Sequence, residues 1–191
     1  MKKPIKVLAP TGAIGSGVRQ DLFEQALLEK PDVIAMDAGS TDSGPYYLGT
    51  GKSKASRGVL KAELEIYMRA RAELGIPLII GSCGTCGSDA GVSLMRELCL
   101  EVANELQQSV TVAAIYSEQS IPSVTQALAD GRILPLSPER PLDAARIEAC
   151  SRIVAVMGVE PFIHALQQGA DIVVAGRATD TAVLACLPIM Q

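Results

Sequence analysis

Short, largely apolar runs recur along this chain, and each opens into a loop of glycine and hydroxyl residues before a stretch with helical spacing. Residues 5–9 run into TGAIGSG, residues 32–36 into DAGSTDSG, and residues 77–80 into GSCGTCGSDAG. Apolar residues then recur at helical spacing within residues 18–29 (Val18, Leu22, Phe23, Ala26, Leu27) and within residues 58–74 (Leu60, Leu64, Tyr67, Met68). After the third loop they do so through Val92, Met95, Leu98, Cys99, Val102 and Leu106. An apolar stripe repeating about every 3.6 residues marks a helix packed on one side, and a short continuous run marks a strand buried on both faces. Further strands are expected at residues 110–116, 153–157 and 172–175, with helices at 123–130, 142–150 and from GRATDT through Leu184. Pro135, Pro138 and Pro141 make the segment between them a loop. Strands that alternate with helices and are apolar throughout fit a parallel sheet covered on both faces. The expected fold is an α/β domain, doubly wound, with a mostly parallel sheet of about six strands and helices on both faces.

The bulk numbers bound the rest. At 191 residues the chain suits one domain, residues 1–191. Against 17 Lys and Arg stand 21 Asp and Glu, a net charge of -4, which gives no reason to expect nucleic acid or an anionic membrane. The 48% apolar content exceeds what a lone monomer needs, so a homo- or hetero-oligomer is expected. The start, MKKPIKVLAP, has a basic end but an apolar run too short for a secretory signal, and no segment approaches the ~20 apolar residues of a membrane span. Five cysteines, an odd number, read as reduced thiols, which points to the cytoplasm.

In open parallel sheets ligands sit beyond the carboxyl ends of the strands. The loop from Thr11 and Gly12 to Gly17 can aim backbone N–H groups and a helix start at an anion. Asp37 lies 20 residues past Gly17, where a dinucleotide fold wants an acid, but the glycines run G-x-x-G-x-G, the reverse of the fingerprint. A tight turn is the preferred reading and nucleotide binding the alternative. Gly51-Lys52-Ser53 fails as a Walker loop, because Tyr46 stands where the first glycine belongs and no strand leads directly into it. Asp37 to Thr41 resembles the first phosphate loop of sugar kinases and actin-type ATPases, yet a helix follows instead of a hairpin. Cys83 and Cys86 have the spacing of a redox pair, although two small loop residues is the preferred reading. A zinc site lacks a second ligand pair, Cys99, Cys150 and Cys186 falling on apolar helical faces; His164 reads as a helix-surface residue. The groups expected at one rim are Asp37, Ser40, Thr41, Asp42, Ser82, Asp89, Glu118, Arg177, Thr179 and Asp180. Arg177 is a forked donor for carboxylate or phosphate, and the carboxylates suit general-base work or Mg2+ binding. The competing reading is that these Ser, Thr and Asp residues cap helices.

Together VLAPTGAIGSG, DAGSTDSGPYYLGTGKS, GIPLIIGSCGTCGSD, AIYSEQ, VAVMGVEPFIHAL and ADIVVAGRATDTA resemble the amino-terminal region of the acyclic terpene utilisation (AtuA-type) family, over residues 6–187. That family is named for a bacterial gene cluster degrading citronellol and geraniol, in which branched acyl-CoA thioesters are carboxylated, hydrated and cleaved. Its members are typically longer, and relatives occur with a small ferredoxin-fold protein. The resemblance implies a split subunit or truncated product working with a carboxyl-terminal partner. It also implies a site built by Asp37, Gly39, Ser40, Thr41, Asp42, Gly44, Tyr47, Gly49, Gly51 and Lys52, with Arg177 and Asp180. CGTC departs from the small residues expected there, which speaks against a family-wide thiol mechanism.

Two functions follow as expectations. One is a catabolic enzyme of hydratase or lyase type, acting on a branched carboxylic acid or its acyl-CoA thioester. In it Asp37, Asp42, Glu118 and Asp180 are the candidate acid/base groups. Thr11, Gly12, Gly39, Ser40, Thr41, Tyr47, Lys52, Ser82, Arg177 and Thr179 are the candidate anion binders. No metal ligands are assigned, and the cofactor is left open between Mg2+ and none. The other is a non-catalytic subunit that binds an acyl-CoA or nucleotide for a partner enzyme.

Overall fold

A computed structural model describes residues 4–136 and 140–191. Pro138, expected in a loop, lies outside the described residues. Strands β1 (Val7–Leu8), β2 (Val33–Asp37), β3 (Leu78–Gly81), β4 (Val112–Ile115) and β5 (Ile172–Ala175) form one sheet in the order β1-β2-β3-β5-β4. Every neighbouring pair is parallel. Around it lie helices α1 (Gln20–Leu27), α2 (Tyr46–Thr50), α3 (Arg57–Leu74), α4 (Asp89–Glu105), α5 (Ile121–Ala129), α6 (Ala144–Glu148), α7 (Glu160–Gln167) and α8 (Asp180–Met190), with a 3-10 turn at Thr41–Ser43.

The continuous apolar strands are explained by two cores, because successive side chains of a strand point to opposite faces. Ile34, Met36, Leu78, Ile80, Ile172 and Val174 pack with α1, α3 and α4 through Phe23, Leu64, Tyr67, Met68, Met95 and Leu98. Val33, Ala35, Ile79, Val173 and Ala175 pack with α7 and α8 through Phe162, Val183 and Cys186. Each large aliphatic side chain so buried contributes roughly 1.5–3 kcal/mol. The helices start where their sequence offers a hydroxyl: Ser56 Oγ accepts from Val59 N at 3.3 Å and Ser88 Oγ from Gly91 N at 3.2 Å.

From β1 to β4 the chain moves along the sheet with its long helices on one face. It then returns through α5, α6 and α7 to insert β5 between β3 and β4. Adjacent strands β3 and β5 therefore feed helices on opposite faces, α4 and α8, which opens a crevice at their carboxyl ends.

The expected strand at 153–157 is not in the sheet, which has five strands instead of six. This segment crosses the carboxyl-terminal rim. Val154 bridges Glu118 antiparallel and Met157 bridges Ala178 in parallel. Ala155 N donates to Ser117 O at 2.9 Å and Met157 N to Arg177 O at 3.0 Å. Its apolar residues are half exposed where those of β2, β3 and β5 are buried, so their role is to line the rim.

Candidate active site

The parallel sheet brings the predicted corners to one edge. Thr11 follows β1, Asp37 ends β2, Ser82 follows β3, Glu118 follows β4 and Arg177 follows β5. Asp37 is buried, and its Oδ2 accepts from Gly39 N at 3.1 Å. Its Oδ1 is buried without a well-formed hydrogen bond, the Ser82 hydroxyl lying near the carboxyl, and Arg177 Nη1 in the loop after β5 is buried without a partner among the described residues. Burial holds the Asp37 carboxyl above the usual carboxylate range; the Ser82 hydroxyl, the Gly39 N–H and the Arg177 charge oppose this, and the Asp180 charge adds to it. Buried polar atoms are nearly always paired, so these two, like Gln108 Oε1 and Thr125 Oγ1 elsewhere, are open to a water or a bound molecule, and here they lie at the rim where the loops meet.

The loop between β3 and α4, residues 82–88, is buried throughout and strained. Ser82 (φ 48°) and Thr85 (φ 77°) sit in the left-handed region, a strain that gathers at functional sites. A side chain on Gly39 would overlap the Thr85 backbone, and one on Gly87 would overlap that of Arg177. Glycine at these two positions lets the β2, β3 and β5 loops close on one another.

Two cavities flank the loops and share Ser40. One, about 350 Å³, is lined by Pro45, Tyr47, Leu48, Val154 and Val156, with Thr41, Cys86 and Arg177 among its polar groups. The other, about 400 Å³, lies between the glycine-rich loop and Lys54, with Ser16, Ser40, Ser43 and Thr85 on its wall. Arg152 ties the outer wall of the first cavity in place: its Nη1 donates to Gly49 O at 2.7 Å, and its Nε lies 3.5 Å from Glu118 Oε1.

The glycine-rich loop does present donors to an anion, and that anion is the protein's own. Glu63 is buried; its Oε1 accepts from Gly17 N at 2.8 Å and its Oε2 from Gly15 N at 3.0 Å and Tyr67 OH at 3.2 Å. Desolvation first, and then the Glu63 charge, push the Tyr67 phenol far up. The tight-turn reading of this loop fits that geometry.

The other candidates divide. Gly39, Ser40, Thr41, Tyr47 and Arg177 line the cavities. Ser82 is fully buried beside them, its hydroxyl 3.4 Å from Ala178 N. Thr179 caps α8, accepting from Ala182 N at 3.3 Å, and Asp180 is the exposed first residue of that helix. Glu118 is occupied: its Oε1 accepts from Asp89 N at 2.9 Å, while Asp89 Oδ1 accepts from Glu118 N at 3.1 Å. Asp42 is exposed on the 3-10 turn. Thr11 donates to Ala13 O at 3.2 Å, and Thr11, Gly12 and Lys52 line neither cavity.

Lys54, Leu48, Val154, Val156, Arg152 and Glu63 escaped the sequence reading. Only Lys54 had a local signal, as the second lysine of GKSK. Cys83 and Cys86 are free thiols that part company. Cys83 lies in the core, where burial pushes its thiol far up, and Cys86 faces the apolar cavity. Cys99 and Cys186 are buried as expected, but Cys150 is exposed beyond the end of the short α6. His164 is exposed on α7. Among the described residues no group of three His, Cys, Asp or Glu is placed to hold a metal ion, and no helix is long and apolar enough to cross a membrane.

Comparison with known families decides the relationship. The profile of the acyclic terpene utilisation family protein AtuA matches residues 6–190. The chain belongs to that family. No curated protein matches it. The AtuA match covers all five strands and both cavities, so the rim described here lies within the family region.

Proposed function

We propose that this AtuA-family protein is an acid/base catalyst of terpene catabolism, of hydratase or lyase type, acting on a branched carboxylic acid or its thioester. One observation carries the reading: Arg177, with its Nη1 unpartnered, lies on the wall of an apolar cavity, and the buried Asp37 carboxyl at the end of β2 is close enough to feel its charge. Arg177 holds the carboxylate or the oxyanion that develops at the thioester carbonyl, where a positioned charge in a dry site counts most. Asp37, with a raised pKa, moves the proton at the neighbouring carbon. Tyr47, Leu48, Val154 and Val156 accept the branched hydrocarbon. Exposed Val156 and Tyr46 beside this cavity suit cover by a partner subunit.

The test is proton exchange. In D2O, branched acyl-CoA thioesters incubated with the protein exchange the hydrogen next to the carbonyl, or add water where the thioester is unsaturated, as read by NMR. Asp37→Asn lowers that rate by roughly 10²–10⁴. Unchanged exchange in Asp37→Asn, or none in the wild-type protein across saturated and unsaturated thioesters, refutes the assignment.

A further inference from the structure

Resting on that acid-binding function, we infer that the donor-rich cavity around Lys54 is a second anion subsite, so that the substrate is a branched diacid or its monothioester. Its remote carboxylate is held by Lys54, and its reacting end by Arg177.

Of the cations without an ion pair among the described residues, which include Lys30, Lys52 and Arg96, Lys54 and Arg177 are the two that line the paired cavities. Across the α3/α4 surface Lys61 pairs with Glu101 at 2.6 Å and with Glu105 at 2.7 Å, and Arg57 pairs with Glu101. Lys54 forms no ion pair among the described residues; its Nζ bonds Ser43 Oγ at 3.3 Å, and its backbone N donates to Thr85 Oγ1 at 2.9 Å, which fixes it to the β3 loop. The hydroxyls around it are oriented by the same bonds. Ser43 accepts from Lys54 Nζ, Thr85 from Lys54 N, and Ser40 from Asp42 N at 3.1 Å. None of the three donates its proton to another group among the described residues. Each O–H therefore remains free to donate, and a hydroxyl has one proton to give.

Three free O–H donors and a solvent-exposed, unpaired ammonium, with no Asp or Glu on the wall, offer a complementary site to an acceptor carrying negative charge. Glu63 decides which kind. Its carboxylate, bonded to Gly15 and Gly17, stands behind the opposite wall and has taken two of that loop's N–H donors, so a dianionic phosphate meets repulsion where a phosphate loop would offer donors. A monoanionic carboxylate avoids most of that penalty. Ser40 belongs to both cavities, so one molecule can reach from Lys54 to Arg177.

The test compares matched acids by calorimetry on the full chain: branched mono- and dicarboxylates of equal skeleton, from the 3-methylpentanoate/3-methylpentanedioate pair up to the 3-methyldecanoate/3-methyldecanedioate pair, with inorganic phosphate as a further probe. At least one diacid binds more tightly than its monoacid. Lys54→Met weakens that diacid roughly ten- to hundred-fold and its monoacid less than about twofold, while Lys54→Arg retains the preference. Lys30→Met, remote from both cavities, changes neither. Equal affinity within every pair, equal loss of both acids in Lys54→Met, or phosphate binding more tightly than every diacid through Lys54 would each overturn the subsite. Failure of the underlying function is read separately: Arg177→Met leaving monoacid binding intact removes the acid-binding site itself. Loss there without any Lys54 effect removes only the second subsite.

Discussion

Arg71 and Arg177 stand at opposite ends of the same parallel sheet, and they are treated in opposite ways. At the amino-terminal ends of the strands, Arg71 is buried with two of its nitrogens engaged, Nε to Ile76 O at 3.0 Å and Nη2 to Asp171 Oδ1 at 2.8 Å. The second oxygen of Asp171 accepts from Thr111 N at 2.8 Å, so one ion pair fastens the end of α3 to the starts of β3, β4 and β5. At the carboxyl-terminal ends, Arg177 and Asp37 each keep a buried atom without a partner. A buried charge paired with an opposite charge serves the fold, and one left without that pair is held in place by the fold for something else. Glu63 refines the point, because it lies at the carboxyl-terminal end and is nevertheless satisfied by Gly15, Gly17 and Tyr67. Position on the rim alone does not make a site.

Substitutions can break this contrast, and their effects on stability are ordered. Arg71→Met has the largest expected effect. It leaves Asp171 without its cation, and because Asp171 is 36% exposed the loss is about 2 kcal/mol, below that of a fully buried pair. Urea denaturation measures it, and ligand binding stays intact. A loss under about 0.5 kcal/mol would remove the strut from the structural side of the comparison.

Asp37→Asn is expected to act in the other direction. Because burial raises the folded-state pKa, the native protein holds this proton to higher pH than the unfolded chain does. The carboxylate therefore detracts from stability once pH passes the ordinary carboxylate range, fully so above the raised folded value, and the penalty disappears below the ordinary range, where both states are protonated. The variant melts above the wild type near neutral pH, with a difference that shrinks as pH falls into the ordinary carboxylate range. A variant less stable than wild type at neutral pH would make Asp37 a structural acceptor for Gly39.

Arg177→Met is expected to move stability least, within about 0.5 kcal/mol, because no side-chain bond of the fold is lost. Its effect is on branched-acid affinity, which falls at least about tenfold. A stability loss matching that of Arg71→Met would show the two arginines to be alike after all.

Much of this was legible in the residues. Apolar runs at 33–36, 77–80 and 172–175 fit burial on both faces, which favours a parallel sheet and sends Asp37, Ser82 and Arg177 to one edge. The segment at 153–157 shows the limit. Its composition matches a strand, but five residues of β-prone sequence do not say whether their hydrogen bonds go to a sheet or to the 117–119 and 177–179 loops that they cross. Lys52 and Lys54 are likewise indistinguishable as letters. Gly51 ends α2 in the left-handed region, and the bond from Lys54 N to Thr85 then sets Lys54 on the cavity, which Lys52 does not line.

The sequence by itself determined the alternation of strand and helix, the helix starts at Ser56 and Ser88, and the presence of an acid at the end of β2, because these depend on neighbours within a turn or two of the chain. Tertiary structure decided which polar atoms remain free. The donors of Gly15 are taken by a carboxylate 48 residues away, whereas those of Arg177 Nη1 are not taken at all. Whether a hydrogen bond is made depends on what packs against the group from the rest of the chain, and local spacing carries no record of that.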